Sequence, residues 1–522
     1  MSRHLLQIPA KGIILIIVSV LSMSSLAAAI YIHPLWFTSF FICILLTLIA
    51  CANVRQQKHT ILKNFPLLGY ARYFFESIRP ELRQYFWESD LDGTPFNRRQ
   101  RSIVYQRAKN EKQTVAFGMQ QDADKAGHEW VAHSVYPVMI KNKDLRVTIG
   151  NSFCSQPYNA SILNIGAMSY GALSKTAIRS LNAGAAIGRF AHNTGEGGIS
   201  DHHLQGGDII WQIGTGYFGC RDASGFFSPE LFSINAARPA VKMIELKLSQ
   251  GAKPGHGGIL PAAKNTVEIA AIRNVTAHTD VFSPPAHTAF SNAMEMMRFI
   301  GYLRSLSGGK PVGFKLCIGD RGEFLDICSA IQSTGIIPDF ISIDGSEGGT
   351  GAAPLEFTDN IGMPLHTALA FVAGSLLDRN LKKDIRLIAS GRIITAFDLL
   401  KALALGADAC YSARGMMFSL GCIQALKCHS GHCPVGIATQ NASLYNGLNV
   451  TDKKIRVANF HRNTMHAVVE MMEACGFKTP AEINARKFFR KLDPVQTRSF
   501  EDIYFSKTAE ENAGRFHSYL LN

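Results

Sequence analysis

Between Ile162 and Ser412, short apolar β-rich runs alternate with stretches of helical periodicity, and this alternation limits the possible folds more than any other feature of the chain. The runs are Ile162–Ala167, Val241–Leu246, Val312–Leu316, Phe340–Ile343, Ile385–Ala389 and Ala409–Ser412; the helical stretches include Leu173–Ile187, Ala293–Leu306 and Ala396–Leu405. Strands that alternate with helices imply parallel β/α units, and their number suits a closed (β/α)8 TIM barrel of ordinary size. An open doubly wound sheet is the alternative. In a barrel, chemistry collects at the C-terminal ends of the strands, which here means the loops Gly166–Gly171, Asn193–Gly198, Gln250–Gly258, Asp344–Gly351 and Ser390-Gly391-Arg392.

Those loops hold the glycines. Ser346-Glu347-Gly348-Gly349-Thr350-Gly351 follows a buried strand, where glycines leave backbone N–H groups free to approach a phosphate. With Ser390-Gly391-Arg392 ending the next strand, two neighbouring loops are placed to grip one phosphate. Gly214, Gly216 and Gly219 match a dinucleotide fingerprint in letters only, because Arg221-Asp222-Ala223-Ser224-Gly225 does not open a helix. No Gly-x4-Gly-Lys-Ser/Thr match occurs.

Cys422, Cys428 and Cys433-Pro434 fall within twelve residues, a spacing that suits a metal centre. Three thiolates hold an iron–sulfur cube lacking one corner. Zinc is the rival, with His429 or His432 completing a Cys3His site, and three buried free thiols are the plain alternative. Eleven cysteines in 522 residues are too sparse for a disulfide scaffold, and an odd count with one tight group suits a reducing compartment.

Near the N-terminus, the uncharged runs Gly12–Ile32 and Leu35–Ala52 read as two membrane-spanning helices joined at His33-Pro34. Arg3 and Lys11 flank one side and Arg55, Lys58 and Lys63 the other, while the connecting turn carries neither Lys nor Arg, so both ends face the cytoplasm. The expectation is a hairpin anchor in the inner membrane with a cytoplasmic catalytic domain. A cleaved signal peptide ending near Ala27-Ala28-Ala29 competes with it for the first run. A hydrophobic content of 47% with 18% charged residues excludes a disordered chain. The net charge of +13 includes no long Lys/Arg run, which argues against nucleic acid and favours an anionic membrane surface and anionic ligands, or simply a solvated basic surface.

Six motifs in order carry a family resemblance: Ala167-Met168-Ser169-Tyr170-Gly171, Asn193-Thr194-Gly195-Glu196-Gly197-Gly198, Gln250-Gly251-Ala252-Lys253-Pro254-Gly255, Ser283-Pro284-Pro285, Gly348-Gly349-Thr350-Gly351-Ala352 and Cys422-x5-Cys428-x4-Cys433-Pro434-Val435-Gly436. Together they resemble the FMN-binding synthase domain of glutamate synthase, over roughly Asn159 to Asn446. The stretch Tyr70–Pro137 is similar to short, membrane-linked members of that family. The resemblance implies a TIM barrel holding FMN and a [3Fe-4S] cluster on Cys422, Cys428 and Cys433. It further implies hydride transfer from reduced FMN to 2-iminoglutarate, formed from 2-oxoglutarate and ammonia, with electrons from an unidentified donor passing through the cluster.

By the same resemblance Glu196 handles a proton beside flavin and substrate, and Gln250, Lys253 and Arg273 hold the substrate carboxylates. Ala167, Met168, Ser169, Gly348, Gly349, Thr350, Gly391 and Arg392 line the cofactor, and Lys315 sits by its pyrimidine ring. The expected organisation is an anchor over residues 1–58, a linker and lid over 59–150, the barrel over 151–450 and a helical extension over 451–522. The chain also departs from the family pattern. Met1-Ser2 leads into the hairpin where the large synthases carry a glutaminase domain with an N-terminal cysteine nucleophile, so ammonia comes from solution or from a separate amidotransferase. His256 stands where those enzymes have glutamate and Arg392 where they have glycine, and their long C-terminal β-helix domain is missing. A flavin enzyme acting on another 2-oxo or 2-hydroxy acid, and a membrane-attached electron carrier, are the other readings.

Overall fold

Eight parallel strands pair in sequence order and close on themselves: β1 Leu163–Ile165, β2 His192–Asn193, β3 Ile209–Ile213, β4 Val241–Lys247, β5 Val312–Leu316, β6 Phe340–Asp344, β7 Arg386–Ser390 and β8 Ala409–Ser412. The computed structural model describes residues 10–111 and 113–505. The chain divides into two units, Met1–Arg98 and Arg99–Asn522. Six of the barrel strands lie on the runs expected from sequence; β2 and β3 are additional. The closed ladder excludes the open-sheet alternative.

Helices cover the outside of the barrel and their ends obey local rules. Lys175–Gly188 starts where the Ser174 hydroxyl accepts from Ala177 N at 3.3 Å, and Ala396–Ala404 starts at a reciprocal Thr395/Asp398 capping box. At the N-terminal ends of the strands, an antiparallel hairpin of Arg146–Ile149 and Tyr158–Ser161 stoppers the barrel. Ile149, Tyr158 and Ala160 pack against inward residues including Ile210, Met243, Phe340 and Tyr411. Asp339, fully buried ahead of β6, fixes this end: it accepts from Asn151 N at 2.8 Å and Val312 N at 2.8 Å and pairs with Arg304 at 2.9 Å.

The segments on either side of the barrel differ from expectation. After the long helix Val450–Cys475, strands Phe488–Lys491 and Thr497–Ser499 form a three-stranded sheet with Glu129–Val131, so the C-terminal extension is mixed rather than helical. The pairing has a physical reason: Glu129 neutralises both Arg490, at 2.6 Å, and Lys401, at 2.8 Å. Arg98-Arg99-Gln100-Arg101 opens the helix Arg98–Lys109, in which Arg101 is buried.

In the N-terminal unit, helices Ala10–Tyr31 and Trp36–Arg55 pack together, with the Ser22 and Thr47 hydroxyls 3.1 Å apart. Both are long and apolar enough to cross a membrane. A short helix Thr60–Asn64 and a longer one, Gly69–Leu82, follow, and the longer one runs on into a wide π turn, Arg83–Trp87.

Candidate active site

The barrel mouth is built from the segments that leave the strands. β2 delivers the loop of Glu196, and Gly195 in that loop has φ +65, where a Cβ would press on the backbone N of Ser169 at 2.6 Å. Only glycine lets the β1 and β2 loops approach this closely, which brings Ala167, Met168 and Ser169 beside Glu196. From the end of β4, Lys247 reaches Glu196 Oε2 at 2.8 Å. Gln250 and His256 line the same small cleft as Glu196 and Lys247, closed on one side by Pro284 and Pro285.

Three cations surround the one carboxylate. Burial would push the Glu196 carboxyl up, but Lys247 first, and then Lys253 and Arg273, hold it below the usual carboxylate range. Lys253 is buried, donates to Gly257 O at 3.1 Å, and has its pKa lowered by burial against the opposing pull of Glu196. Arg273, in the last turn of the helix Val267–Arg273, donates to Tyr170 O at 3.0 Å and lies over the Phe218 ring at 4.9 Å. Burial pushes its guanidinium down to about 10, and its buried Nε has no hydrogen-bond partner among the described residues.

Deeper in the barrel, Lys315 of β5 pairs with Asp344 of β6 at 3.2 Å. Asp344 and Glu245 outweigh the burial of Lys315 and keep its ammonium above the usual lysine range. Asp344 also accepts from Gly251 N at 2.9 Å, and a Cβ on Gly251 would collide with the carbonyl oxygen of Gly345, so the β4 and β6 loops are locked together. Below them the fully buried Glu245 accepts from Asn193 at 2.8 Å, Gln212 at 2.6 Å and Ser342 at 2.6 Å, which satisfies its charge inside the barrel.

On the other side of Asp344, the loops of β6, β7 and β8 meet. Arg414, just past β8, donates to Glu347 O at 2.6 Å, and a Cβ on Gly349 would fall 2.9 Å from its side chain. Burial, and then the like charge of Arg392, push Arg414 down to about 10. Two guanidinium groups thus share the neighbourhood of the glycine loop Gly348-Gly349-Thr350, with Gly391 alongside, an arrangement made for an anion.

The three cysteines lie beside this loop. A Cβ on Gly351 would sit 3.9 Å from both the Cβ and the carbonyl oxygen of Cys428. Burial pushes the Cys422 thiol up to about 12, with Cys428 and Cys433 acting in the same direction, so the three thiols lie within electrostatic reach of one another. Cys428 is raised for the same reasons, burial first and Cys433 second. Lys264 donates to Cys428 O at 2.5 Å and to Ala438 O at 3.2 Å, tying the cysteine loop to the segment between Lys253 and Arg273. Among the described residues no group of three or more His, Cys, Asp or Glu side chains is arranged to hold a metal ion, which favours neither the zinc nor the cluster reading of the loop.

Lys247, Asp344, Arg414 and Lys264 escaped the reading of the sequence. Lys247 had a usable signal, because it ends a buried strand three residues before Gln250. The pattern Gly214-x-Gly216-x-x-Gly219 opens no helix; the next α-helix is Pro229–Ala236.

A family model described as the conserved region in glutamate synthase matches residues 99–478. A glutamate synthase large subunit-like protein, YerD of Bacillus subtilis (strain 168), is 38% identical over 483 residues, covering 84% of this chain and 91% of YerD. An archaeal glutamate synthase [NADPH] of Archaeoglobus fulgidus is 36% identical over 312 residues, and the match covers 59% of this chain and 58% of that protein. Among solved structures, a mutant flavocytochrome b2 with pyruvate bound aligns over 80% of this chain and 85% of its own at a TM-score of 0.41 and 12% identity, too distant to bear on function. The closed barrel and its cation-lined mouth are thus those of an oxidoreductase of the glutamate synthase kind. The chain belongs to the glutamate synthase family.

Proposed function

We propose that the barrel reductively aminates 2-oxoglutarate to glutamate, using FMN as the hydride source and a [3Fe-4S] cluster on Cys422, Cys428 and Cys433 as the electron inlet. One observation carries this reading: Lys247, Lys253 and Arg273 converge electrostatically on the single carboxylate of Glu196, a cationic excess that suits a dianionic substrate.

The residues fit FMN. The cradle at Gly349 has no Cβ to obstruct it and is flanked by Arg414 and Arg392, which suits a phosphate, while Lys315 supplies a buried cation for the ring. They fit a cluster in kind, with soft thiol donors close together in one loop, Cys433 buried and Cys422 and Cys428 partly buried, and the Lys264 ammonium beside it. When bound, the flavin supplies two-electron chemistry at carbon and the cluster relays single electrons.

The chain's own residues do the rest. Lys253, Arg273 and Gln250 bind and orient the carboxylates. Pro284 and Pro285 wall the cleft against water. Glu196 holds the proton that moves as the nitrogen charge changes, and Lys247 keeps its carboxyl ionised when the site is empty. The reading includes residues 1–58 as a two-helix anchor in the inner membrane, residues 59–150 as a linker and the barrel of 151–450 as a cytoplasmic catalytic domain, supported by two apolar helices of membrane-spanning length. Nitrogen arrives as ammonia or from a separate amidotransferase.

His256 favours a second reading. It lines the cleft with its ring packed edge-on against Phe357 at 5.6 Å, a bulk that suits a different 2-oxo or 2-hydroxy acid. Anaerobic mixing of dithionite-reduced protein with 2-oxoglutarate and ammonium distinguishes the two. Flavin reoxidation with stoichiometric glutamate is expected; reoxidation by another acid but not by this pair moves the assignment to the second reading.

A further inference from the structure

Helix Gly69–Leu82 has one apolar side that is pinned at Tyr70 but leaves Phe74 and Phe75 uncovered. Tyr70, Phe74, Ile78 and Leu82 recur every four residues along it with Phe75 beside them, and Phe74 and Phe75 are 58% and 60% exposed. Arg72, Glu76 and Arg79 occupy the opposite side, and Arg83 continues it into the π turn. Two adjacent phenylalanines this exposed on a helix are a surface that waits for something apolar.

The position of the helix says what covers it. Asn53, in the last turn of the second apolar helix, donates to Pro66 O at 2.6 Å and lies 3.1 Å from the Tyr70 hydroxyl. A Cβ on Gly69 would already crowd Leu62 at 2.9 Å, so the helix start is pinned at the end of the span. Past its far end Tyr85, Phe86 and Trp87 are 55%, 77% and 72% exposed. Aromatic residues and arginines immediately beyond a spanning helix are what the headgroup layer takes up, and an amphipathic helix of this composition buries its apolar side at the headgroup and acyl boundary.

We propose that Gly69–Leu82 lies in the cytoplasmic interface of an anionic bilayer, with Phe74, Phe75 and Ile78 among the acyl chains and Arg72, Arg79 and Arg83 on anionic lipid headgroups. This rests on reading the two apolar helices as a membrane anchor. The interface helix then holds the start of the linker at the membrane surface and is a second attachment, independent of the spans.

The test uses the full chain in nanodiscs of phosphatidylcholine with or without phosphatidylglycerol. A photoreactive benzoylphenylalanine is placed singly at position 74, 78, 72 or 45, the last lying within the second apolar helix. Lipid adducts are expected at 45, 74 and 78 and not at 72, and the yield at 74 should fall several-fold in phosphatidylcholine alone or when Arg72, Arg79 and Arg83 are all changed to Gln. Adducts at 45 without adducts at 74 and 78 overturn the inference and leave the anchor intact. Adducts from 74 to another polypeptide, or to a second copy of the chain, overturn it in favour of a protein contact. The absence of lipid adducts at 45 removes the anchor reading and this inference with it.

Discussion

In the proposed function Lys253 and Glu196 divide the work at the barrel mouth, one by charge and the other by proton. If 2-oxoglutarate binds there, both of its carboxylates leave water, and deleting one cationic partner of such a buried pair costs about 2–5 kcal/mol. Lys253→Ala is expected to weaken 2-oxoglutarate binding by roughly 30-fold or more with FMN content unchanged, since the phosphate cradle at Gly349 and Arg414 is built from other loops. Because burial lowers the Lys253 pKa, the cation is lost as pH rises earlier than for an ordinary lysine; affinity for the dianion should fall as that charge is lost. Glu196→Gln keeps shape and hydrogen bonding but cannot move a proton, and should lower turnover more than affinity. Titrating both variants with 2-oxoglutarate and following flavin reoxidation checks each half; unchanged affinity and reoxidation in Lys253→Ala would defeat the glutamate synthase assignment of the site. Glu196, Gln250 and Lys253 were singled out because each stands in an ordered motif and Arg273 by the family resemblance alone; the structure brings Lys253 and Arg273 within electrostatic reach of Glu196. Arg414 was not, because its role depends on a glycine loop sixty-odd residues away in the chain and adjacent only after the barrel closes.

At the scale of elements, legibility followed length and burial. Val312–Leu316 and Phe340–Asp344 are five-residue strands buried throughout, and such runs announce themselves. His192–Asn193 has two residues, both polar, and exists as a strand because its neighbours hold it and Asn193 feeds the buried Glu245 network. Ile209–Ile213 did carry a signal, an apolar run after a Gly206-Gly207-Asp208 turn. The C-terminal strands were hidden for another reason: Phe488–Lys491 pairs with Glu129–Val131, more than three hundred residues away, and no local pattern encodes that partner. The cysteine loop was read from spacing, and its test is chemical. Cys428→Ser swaps a soft ligand for a poor one, so iron and acid-labile sulfide should fall together. Anaerobically prepared wild-type protein holding stoichiometric zinc and no sulfide would count decisively against the cluster.

For the whole molecule, the division between Arg98 and Arg99 separates the apolar hairpin from every motif of the barrel. Deleting residues 1–98, which removes both the apolar hairpin and helix Gly69–Leu82, should therefore release a soluble protein that still binds flavin, checked by sedimentation and by the flavin absorbance of the supernatant; a soluble but permanently colourless product would show that the unit boundary is misplaced. The hairpin of Arg146–Ile149 and Tyr158–Ser161 has a consequence of its own for this catalytic unit. With Ile149, Tyr158 and Ala160 packed into the floor, that end of the barrel is closed among the described residues and the mouth is left open. On the proposed function, acid, ammonia and product would all pass through the mouth, and the cysteine loop stands at that same rim, with Cys428 against Gly351 and tied to Lys264. If the cysteine loop holds the proposed cluster, a reducing partner would approach from the side that the substrate uses, a docked donor would shadow the entrance, and loading electrons and exchanging metabolites would become alternating events in one queue.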